Sequence, residues 1–141
     1  SGPMLEISTD PAAVDLDWLH HRLSTDAYWA LGRSRERVRR VVENSLPYSV
    51  FHDGSQIAFA RLVTDRTTFA WLSDVYVDRR QRGKGVGKLL LDRIMADADD
   101  WGLRRMALAT SDAHDMYRPY GFTTHPEPDQ WMEKNWPADP A

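Results

Sequence analysis

A basic, glycine-rich segment in the middle of the chain carries the clearest chemical signal. Five cations are interleaved with three glycines, and an apolar helix follows. The cations are Arg79, Arg80, Arg82, Lys84 and Lys88, and the glycines are Gly83, Gly85 and Gly87. Glycines let the backbone approach a ligand closely, and a helix N-terminus adds unpaired N–H donors and partial positive charge. The segment therefore predicts a pocket for a phosphate or pyrophosphate group.

Spacing excludes two of the common phosphate-binding loops. A P-loop requires Gly-Lys followed by Ser or Thr, but Lys88 precedes Leu89, and arginine occupies position 82 where the first glycine belongs. In the dinucleotide pattern Gly-x-Gly-x-x-Gly, the third glycine would fall on Lys88. The pattern that fits is Arg/Gln-x-x-Gly-x-Gly/Ala, in one register beginning at Arg80 and in a second beginning at Arg82.

On this motif the chain resembles the GNAT superfamily of N-acetyltransferases, whose acetyl-CoA pyrophosphate loop has the same form. A second segment, residues 112–122, resembles the family pattern Ala-x-x-Leu-Tyr-x-x-x-Gly-Phe, with Met116 at the leucine position. The resemblance implies an α/β (α+β) fold, in which a mixed, mainly antiparallel sheet of about seven strands is flanked by about four helices. The expected element order is βααβββαβαββ, in one domain spanning residues 4–141.

The resemblance also implies how acetyl-CoA, the expected co-substrate, is bound. The pyrophosphate would lie on the loop formed by Arg82, Gly83, Lys84, Gly85, Val86, Gly87 and Lys88. Pantetheine would pair with the backbone of Val75 and Val77, acting as a substitute for a missing strand. A backbone N–H at a bulge near Val75 is expected to stabilise the oxyanion.

Three side chains are the candidates for proton transfer. Tyr117 matches the family tyrosine that returns a proton to the departing thiolate, which suits a phenol. Asp74 is a candidate base because it matches an acidic position next to the family's valine, and His114 is a second candidate because imidazole titrates near neutrality. A chain of water molecules could also serve as the base. The family's usual asparagine before the tyrosine is replaced by Thr110.

The acceptor pocket of the family is usually built from the first two helices and their connection. That region of this chain offers Trp18, His21, Asp26, Tyr28 and Trp29. Aromatic faces beside a carboxylate favour a cationic or aromatic amine. The expected acceptor is therefore a primary amine of a small molecule or a peptide.

Composition narrows the class of protein. A net charge of −3 over 141 residues argues against general nucleic-acid binding, and the lack of cysteine excludes disulfides and a cysteine acyl-enzyme. No long apolar run or signal-peptide pattern is present, so we expect a cytoplasmic protein that does not enter membranes. Residues 1–3 have the form of a tag scar. The histidine spacing does not indicate a metal site, and a homodimer is possible.

Helix and strand patterns place these motifs. Strands are expected at 48–51, 56–63, 68–77 and 105–109, with a closing strand pair at 122–124 and 130–134, and a helix is expected from Gly85 to Trp101 ending at Gly102. The favoured function is direct acetyl transfer from acetyl-CoA to an amine. Two alternatives remain open, a non-catalytic CoA-binding module and a nucleotide-phosphate-binding regulator.

Overall fold

The computed structural model describes residues 4–138. The predicted tag scar at residues 1–3 lies outside the described residues. The chain divides into two compact units, residues 1–108 and residues 109–141. The first unit contains the sheet and three of the four α-helices, and the second contains the fourth.

The first unit is a five-stranded sheet with helices. Its strands are β1 (Leu5–Ser8), β2 (Leu46–His52), β3 (Ser55–Thr64), β4 (Phe69–Val77) and β5 (Arg105–Ala107). Its helices are α1 (Leu16–Asp26), α2 (Arg35–Glu43) and α3 (Val86–Trp101). The strands lie in the order β1-β2-β3-β4-β5, antiparallel throughout except for the parallel pair β4–β5. The predicted mixed, mainly antiparallel α/β fold is confirmed.

The two faces of the sheet are covered by different helices. On one face, Phe59 and Tyr76 pack in a buried cluster with apolar side chains of α1 and α2, among them Leu23 and Val38. On the other face, the Tyr48 hydroxyl donates a hydrogen bond of 2.7 Å to Asp97 on α3. The glycine loop follows β4 directly, and Arg79 at its start bonds to Asp26 at the end of α1.

Helix ends follow the capping signals in the sequence. Ser34 caps α2, and its hydroxyl accepts the Arg37 N–H at 3.1 Å. Gly102 ends α3 in a left-handed conformation with φ +66°, which a residue without Cβ adopts without strain. These local signals fixed the length of α3 to within one residue of the prediction.

The second unit departs from the predicted order of elements. It contains α4 (His114–Tyr117) and short 3-10 turns at Arg118–Tyr120 and Pro128–Gln130. The predicted closing strands at 122–124 and 130–134 are wrong, since the structure has no strand within residues 109–138. The chain is exposed from residue 131 to residue 138, so these residues bury none of the side chains with which a strand packs onto a sheet. The observed order is therefore βααβββαβα, with five strands instead of about seven.

Candidate functional site

The two parallel strands of the sheet separate after a short contact. Phe69, Ala70 and Trp71 of β4 pair with Arg105, Met106 and Ala107 of β5, where β5 ends. β4 continues for six more residues to Val77. No described strand pairs with its last part, 73–77, on the side that β5 leaves. An extended ligand can take the place of the missing strand there.

A β-bulge at Asp74 and Val75 turns the backbone of β4 toward this open side. Arg61 pairs with Ser73 and Phe59 with Tyr76, so two residues of β4 face the single residue between Phe59 and Arg61 on β3. Asp74 adopts a left-handed conformation with φ +53°. The predicted bulge near Val75 is confirmed.

Hydrogen bonds on either side of the bulge show its effect on the backbone. The Thr68 carbonyl accepts from the Arg105 N–H at the start of β5, whereas the Asp78 N–H donates to the Ile57 carbonyl of β3. Residues 68 and 78 are an even number of positions apart. In a strand without a bulge, their backbone N–H and C=O groups would therefore point toward the same neighbouring strand. The inserted residue reverses the alternation, so the backbone groups of Val75 and Val77 face the open side.

The glycine loop leads directly from β4 into α3. Gly83 and Gly85 have φ values of +77° and +84°, and a Cβ built on either of them would meet no atom within 4 Å. Backbone conformation, rather than crowding, therefore requires glycine at both positions. Gly85 caps α3, and no side chain bonds to the first N–H groups of the helix. These donors and the helix dipole suit an anionic group.

Asp26, at the end of α1, binds the arginines at the start of this loop. Its carboxylate accepts from Arg79 Nε at 2.8 Å, from the Tyr76 hydroxyl at 2.6 Å and from Arg82 at 3.5 Å. Arg82 Nε also donates to the Val77 carbonyl at 2.9 Å. The hydrogen bonds from Arg79 and Tyr76 lower the pKa of Asp26 to about 2. These contacts place Asp26 against the start of the glycine loop, while its predicted contact with an acceptor stays a prediction.

The remaining cations of the loop differ in their partners. Lys88 bonds to Asp92 at 2.7 Å, one helical turn further along α3. Within residues 4–138, Arg80 and Lys84 have no carboxylate within ion-pair distance. Charges without an acidic partner are the ones most available to a phosphate.

Asp74 is the centre of a buried network on the α1 face of the sheet. Its side chain is fully buried and accepts from Trp29 Nε1 at 2.7 Å, Arg33 at 2.8 Å and Arg61 Nε at 2.7 Å. Burial raises the pKa of Asp74, but the charges of Arg61 and Arg33 outweigh it and hold the pKa below its ordinary value. A carboxylate so strongly held in its charged form is a weak proton acceptor. The contacts therefore favour a positioning role for Asp74.

Sequence reasoning missed Arg33 and Arg61. The signal for Arg61 was present, because it lies within the apolar strand β3 and a buried cation requires a partner. Arg33 gave no such signal, since it lies in a polar connection between two helices.

The other predicted acceptor residues lie on α1 and on the loop after it. Trp18 packs edge-on against Tyr76 with ring centroids 6.0 Å apart. Tyr28 and Trp29 form a second edge-on pair, 5.0 Å apart, and their side chains are about half exposed. His21 is exposed on α1. The structure therefore brings Trp29 together with Asp74, and it brings Trp18 and Asp26 together at Tyr76.

The second unit carries the other two candidates for proton transfer. Tyr117 is buried at the end of α4, and its ring meets Phe122 edge-on at 5.9 Å. His114 is exposed at the start of the same helix. Thr110 precedes the helix and accepts the Ala113 N–H at 3.0 Å through its hydroxyl. Thr110 thereby orders the turn into α4 without the asparagine that the family pattern carries.

Neither a cluster of metal-binding side chains nor a membrane-spanning helix lies within the described residues 4–138. No group of three or more His, Asp or Glu side chains in this range is placed to hold a metal ion. Within the same range, none of the helices combines the length and the apolar character needed to cross a membrane.

Comparison with known proteins identifies the class of protein. The model of the acetyltransferase (GNAT) family matches residues 11–122. The chain therefore belongs to the GNAT family of acetyltransferases.

Individual relatives agree with this assignment. A GNAT-family protein of Xanthomonas campestris pv. campestris, a candidate acetyltransferase, is 44% identical, with a TM-score of 0.91 over 97% of this chain and 96% of that one. A candidate acetyltransferase of Gibberella zeae is 28% identical over 75% of this chain and 71% of its own length. Chloroplastic serotonin N-acetyltransferase 2 of Oryza sativa subsp. japonica is 34% identical over 67% of this chain and 50% of its own length.

One structural neighbour bears on the cofactor. A candidate acetyltransferase of Clostridium acetobutylicum, solved with acetyl-CoA, is 18% identical over 94% of this chain and 96% of that one, with a TM-score of 0.70. At 18% identity, this similarity shows only that the two proteins share a fold.

Proposed function

We propose that this protein is an acetyl-CoA-dependent N-acetyltransferase that transfers the acetyl group directly to a primary amine. One observation carries the proposal. The bulged end of β4, which is open on the side that β5 leaves, runs straight into a glycine loop and the N-terminus of α3, where no side chain bonds to the helix N–H groups. In acetyl-CoA the pantetheine amides lie between the thioester and the pyrophosphate. The ligand therefore requires an open strand edge for its amides, followed by a phosphate-binding loop.

The backbone of β4 provides the donor side of this site. Pantetheine pairs with the open-side groups of Val75 and Val77, and the Val75 N–H donates to the thioester carbonyl as negative charge develops on its oxygen. The loop amides and the start of α3 hold the pyrophosphate. Arg80 and Lys84, which have no carboxylate partner in the described part of the chain, supply charge to the phosphates.

The reaction breaks one bond and forms another at the same carbon. The neutral amine nitrogen attacks the thioester carbonyl, a C–N bond forms, and the C–S bond breaks. The Tyr117 hydroxyl gives its proton to the leaving thiolate, and the proton lost by the amine passes to a base. His114 is the side-chain candidate for that base, since the three donors on Asp74 suit a positioning role. The products are an N-acetyl amide and CoA.

An aromatic amine is the first acceptor to test. The relative named as a serotonin N-acetyltransferase shares 34% identity with 67% of this chain. The exposed pair Tyr28 and Trp29 offers ring faces against which an aromatic acceptor can stack.

The decisive measurement is thiol release from acetyl-CoA with a panel of amines, together with mass spectrometry of the acetylated product. We expect turnover with aromatic amines and none without acceptor. Acetyl-CoA binding in calorimetry without thiol release from any amine or peptide would instead identify a non-catalytic CoA-binding module. ATP or GTP binding as tight as CoA binding would favour a nucleotide-binding regulator.

Asp26→Asn tests whether Asp26 holds the glycine loop in position for acetyl-CoA. Asp26 holds Arg79 and Arg82 in place at the start of the loop. Without this carboxylate the loop loses its order, so we expect acetyl-CoA to bind about 5- to 50-fold more weakly, the equivalent of one charge-assisted hydrogen bond. Calorimetry gives the Kd and steady-state kinetics the KM. Asp17→Asn is the matched control, because Asp17 lies on the same helix and bonds an exposed arginine, Arg35, at 2.9 Å. Equal acetyl-CoA affinity in the two variants would contradict this role for Asp26.

A further inference from the structure

The acid-base network around Asp74 contains more positive than negative charge. Arg33 and Arg61 share one oxygen of Asp74, and the Trp29 indole N–H takes the other. The two arginine side chains are only 16% and 14% exposed. Two guanidinium groups therefore lie beside a single carboxylate, largely withdrawn from water. Such an excess of charge favours an additional anion.

Both arginines retain donors for that anion. A guanidinium carries five N–H groups, and Arg33 uses those of one nitrogen on Asp74. Arg61 uses Nε on Asp74 and has a long contact of 3.5 Å to Ser45. Within residues 4–138, neither arginine has a second carboxylate partner. A planar carboxylate matches the remaining N–H groups in geometry.

The position of the network relates it to the acceptor. Asp74 directly precedes Val75, the residue whose N–H is assigned to the thioester carbonyl. Trp29 connects the network to the surface, where its ring and that of Tyr28 are 41% and 48% exposed. An apolar ring face and a group of cations thus lie side by side, one residue from the assigned acyl position.

We propose that Arg33 and Arg61 form a carboxylate-binding subsite, so that the preferred acceptor is an amine that also carries a carboxylate, such as an aromatic α-amino acid. This inference rests on the proposed function and specifies its substrate class. The expected preference for a cationic or aromatic amine depended on aromatic faces beside the carboxylate of Asp26. Asp26 is already bound to Arg79, which leaves the cationic part of that preference without its physical basis.

Pairs of amines that differ only in the carboxylate test the proposal. Tryptophan is compared with tryptamine, and phenylalanine with phenethylamine, by thiol release at one pH. We expect kcat/KM to favour the amino acid by about tenfold or more, mainly through KM, as for a charge-assisted hydrogen bond. Arg33→Gln should bring the ratio close to one. Arg35→Gln, which removes an exposed arginine of the Asp17 pair, should leave the ratio unchanged.

A second measurement does not depend on any variant folding. Indole-3-propionate has the ring and the carboxylate but no amine, and it should inhibit competitively against the acceptor, whereas its amide should inhibit about tenfold less well. Equal inhibition by the two compounds would overturn the subsite.

The possible failures are distinguishable. Turnover of tryptamine equal to or greater than that of tryptophan overturns the subsite and leaves the N-acetyltransferase in place. An equal loss of activity toward both members of a pair in Arg33→Gln also overturns it, because that result indicates a purely structural arginine. No thiol release with any amine, including serotonin, overturns the proposed function and the subsite together.

Discussion

We expect replacement of Tyr117 with phenylalanine to lower kcat by about 10²–10⁴-fold, the range that a positioned general acid contributes. The substitution removes one oxygen and keeps the ring, so the edge-on contact with Phe122 is preserved. Without the phenol, the thiolate has to leave unprotonated or take its proton from water. We expect the Kd for acetyl-CoA to change by less than threefold, since the proposed donor contacts are backbone groups of β4 and the loop. Single-turnover kinetics and calorimetry measure the two effects separately.

Tyr120→Phe is the matched control for this prediction. Tyr120 lies three residues after Tyr117 in the turn that follows α4, and its side chain is partly exposed. Its kcat should remain near that of the wild type. A Tyr117→Phe enzyme with an unchanged kcat would remove Tyr117 from the mechanism, and His114→Ala would then be the next variant to measure.

Asp74→Asn lowers the free energy of unfolding by about 3–5 kcal/mol, the cost of removing one partner from a buried ion pair. Arg33 and Arg61 would remain nearly buried without an anion. Asparagine tolerates the left-handed backbone at φ +53° almost as well as aspartate, so the change tests the charge and not the bulge. Urea unfolding measures the loss. Glu43→Gln removes an exposed partner of Arg39 and should change stability by less than about 0.5 kcal/mol.

The pH dependence of stability provides a second test of the Asp74 network. The pKa of Asp74 is lower in the folded protein than in the unfolded chain. Its stabilising contribution is therefore complete above the unfolded value near 4 and is lost as the pH falls through the folded pKa. The stability difference between wild type and Asp74→Asn should shrink as the pH is lowered below about 4. A difference that stays constant from pH 7 to pH 3 would show that the charge of Asp74 contributes little.

Asp74→Asn also tests the role of Asp74 in catalysis. If Asp74 acted as the base, Asp74→Asn would abolish turnover even under conditions where the variant is fully folded. A positioning residue predicts a partial loss of kcat, with the pH dependence of kcat/KM keeping its wild-type shape.

The sequence predicted the local parts of the site because each depends on neighbouring residues. Gly83 and Gly85 are required by the left-handed turns of the loop, and Gly102 by the end of α3. The bulge near Val75 was expected from the family resemblance and is present. The closing strands were wrong because a strand forms only where its side chains pack against the rest of the fold, and residues 131–138 are exposed.

The partners of the charged side chains could not be read from the sequence. Arg33 and Arg61 meet Asp74 across 41 and 13 residues, and Trp29 meets it across 45. Asp26 meets Arg79 across 53 residues. Asp74 was a candidate base and Asp26 a candidate acceptor contact, and only the folded chain shows that arginines bind both.

The sequence by itself determined the class of protein, the donor loop and the tyrosine candidate, because a glycine loop and a helix start are encoded over a few consecutive residues. The tertiary structure decided which carboxylates pair with which arginines. Burial forces each carboxylate and guanidinium to find a partner, and the pairing depends on which elements pack against β4. That packing makes Asp74, a candidate base in the sequence, the centre of a cationic network, and it is the basis for proposing an acceptor amine that bears a carboxylate.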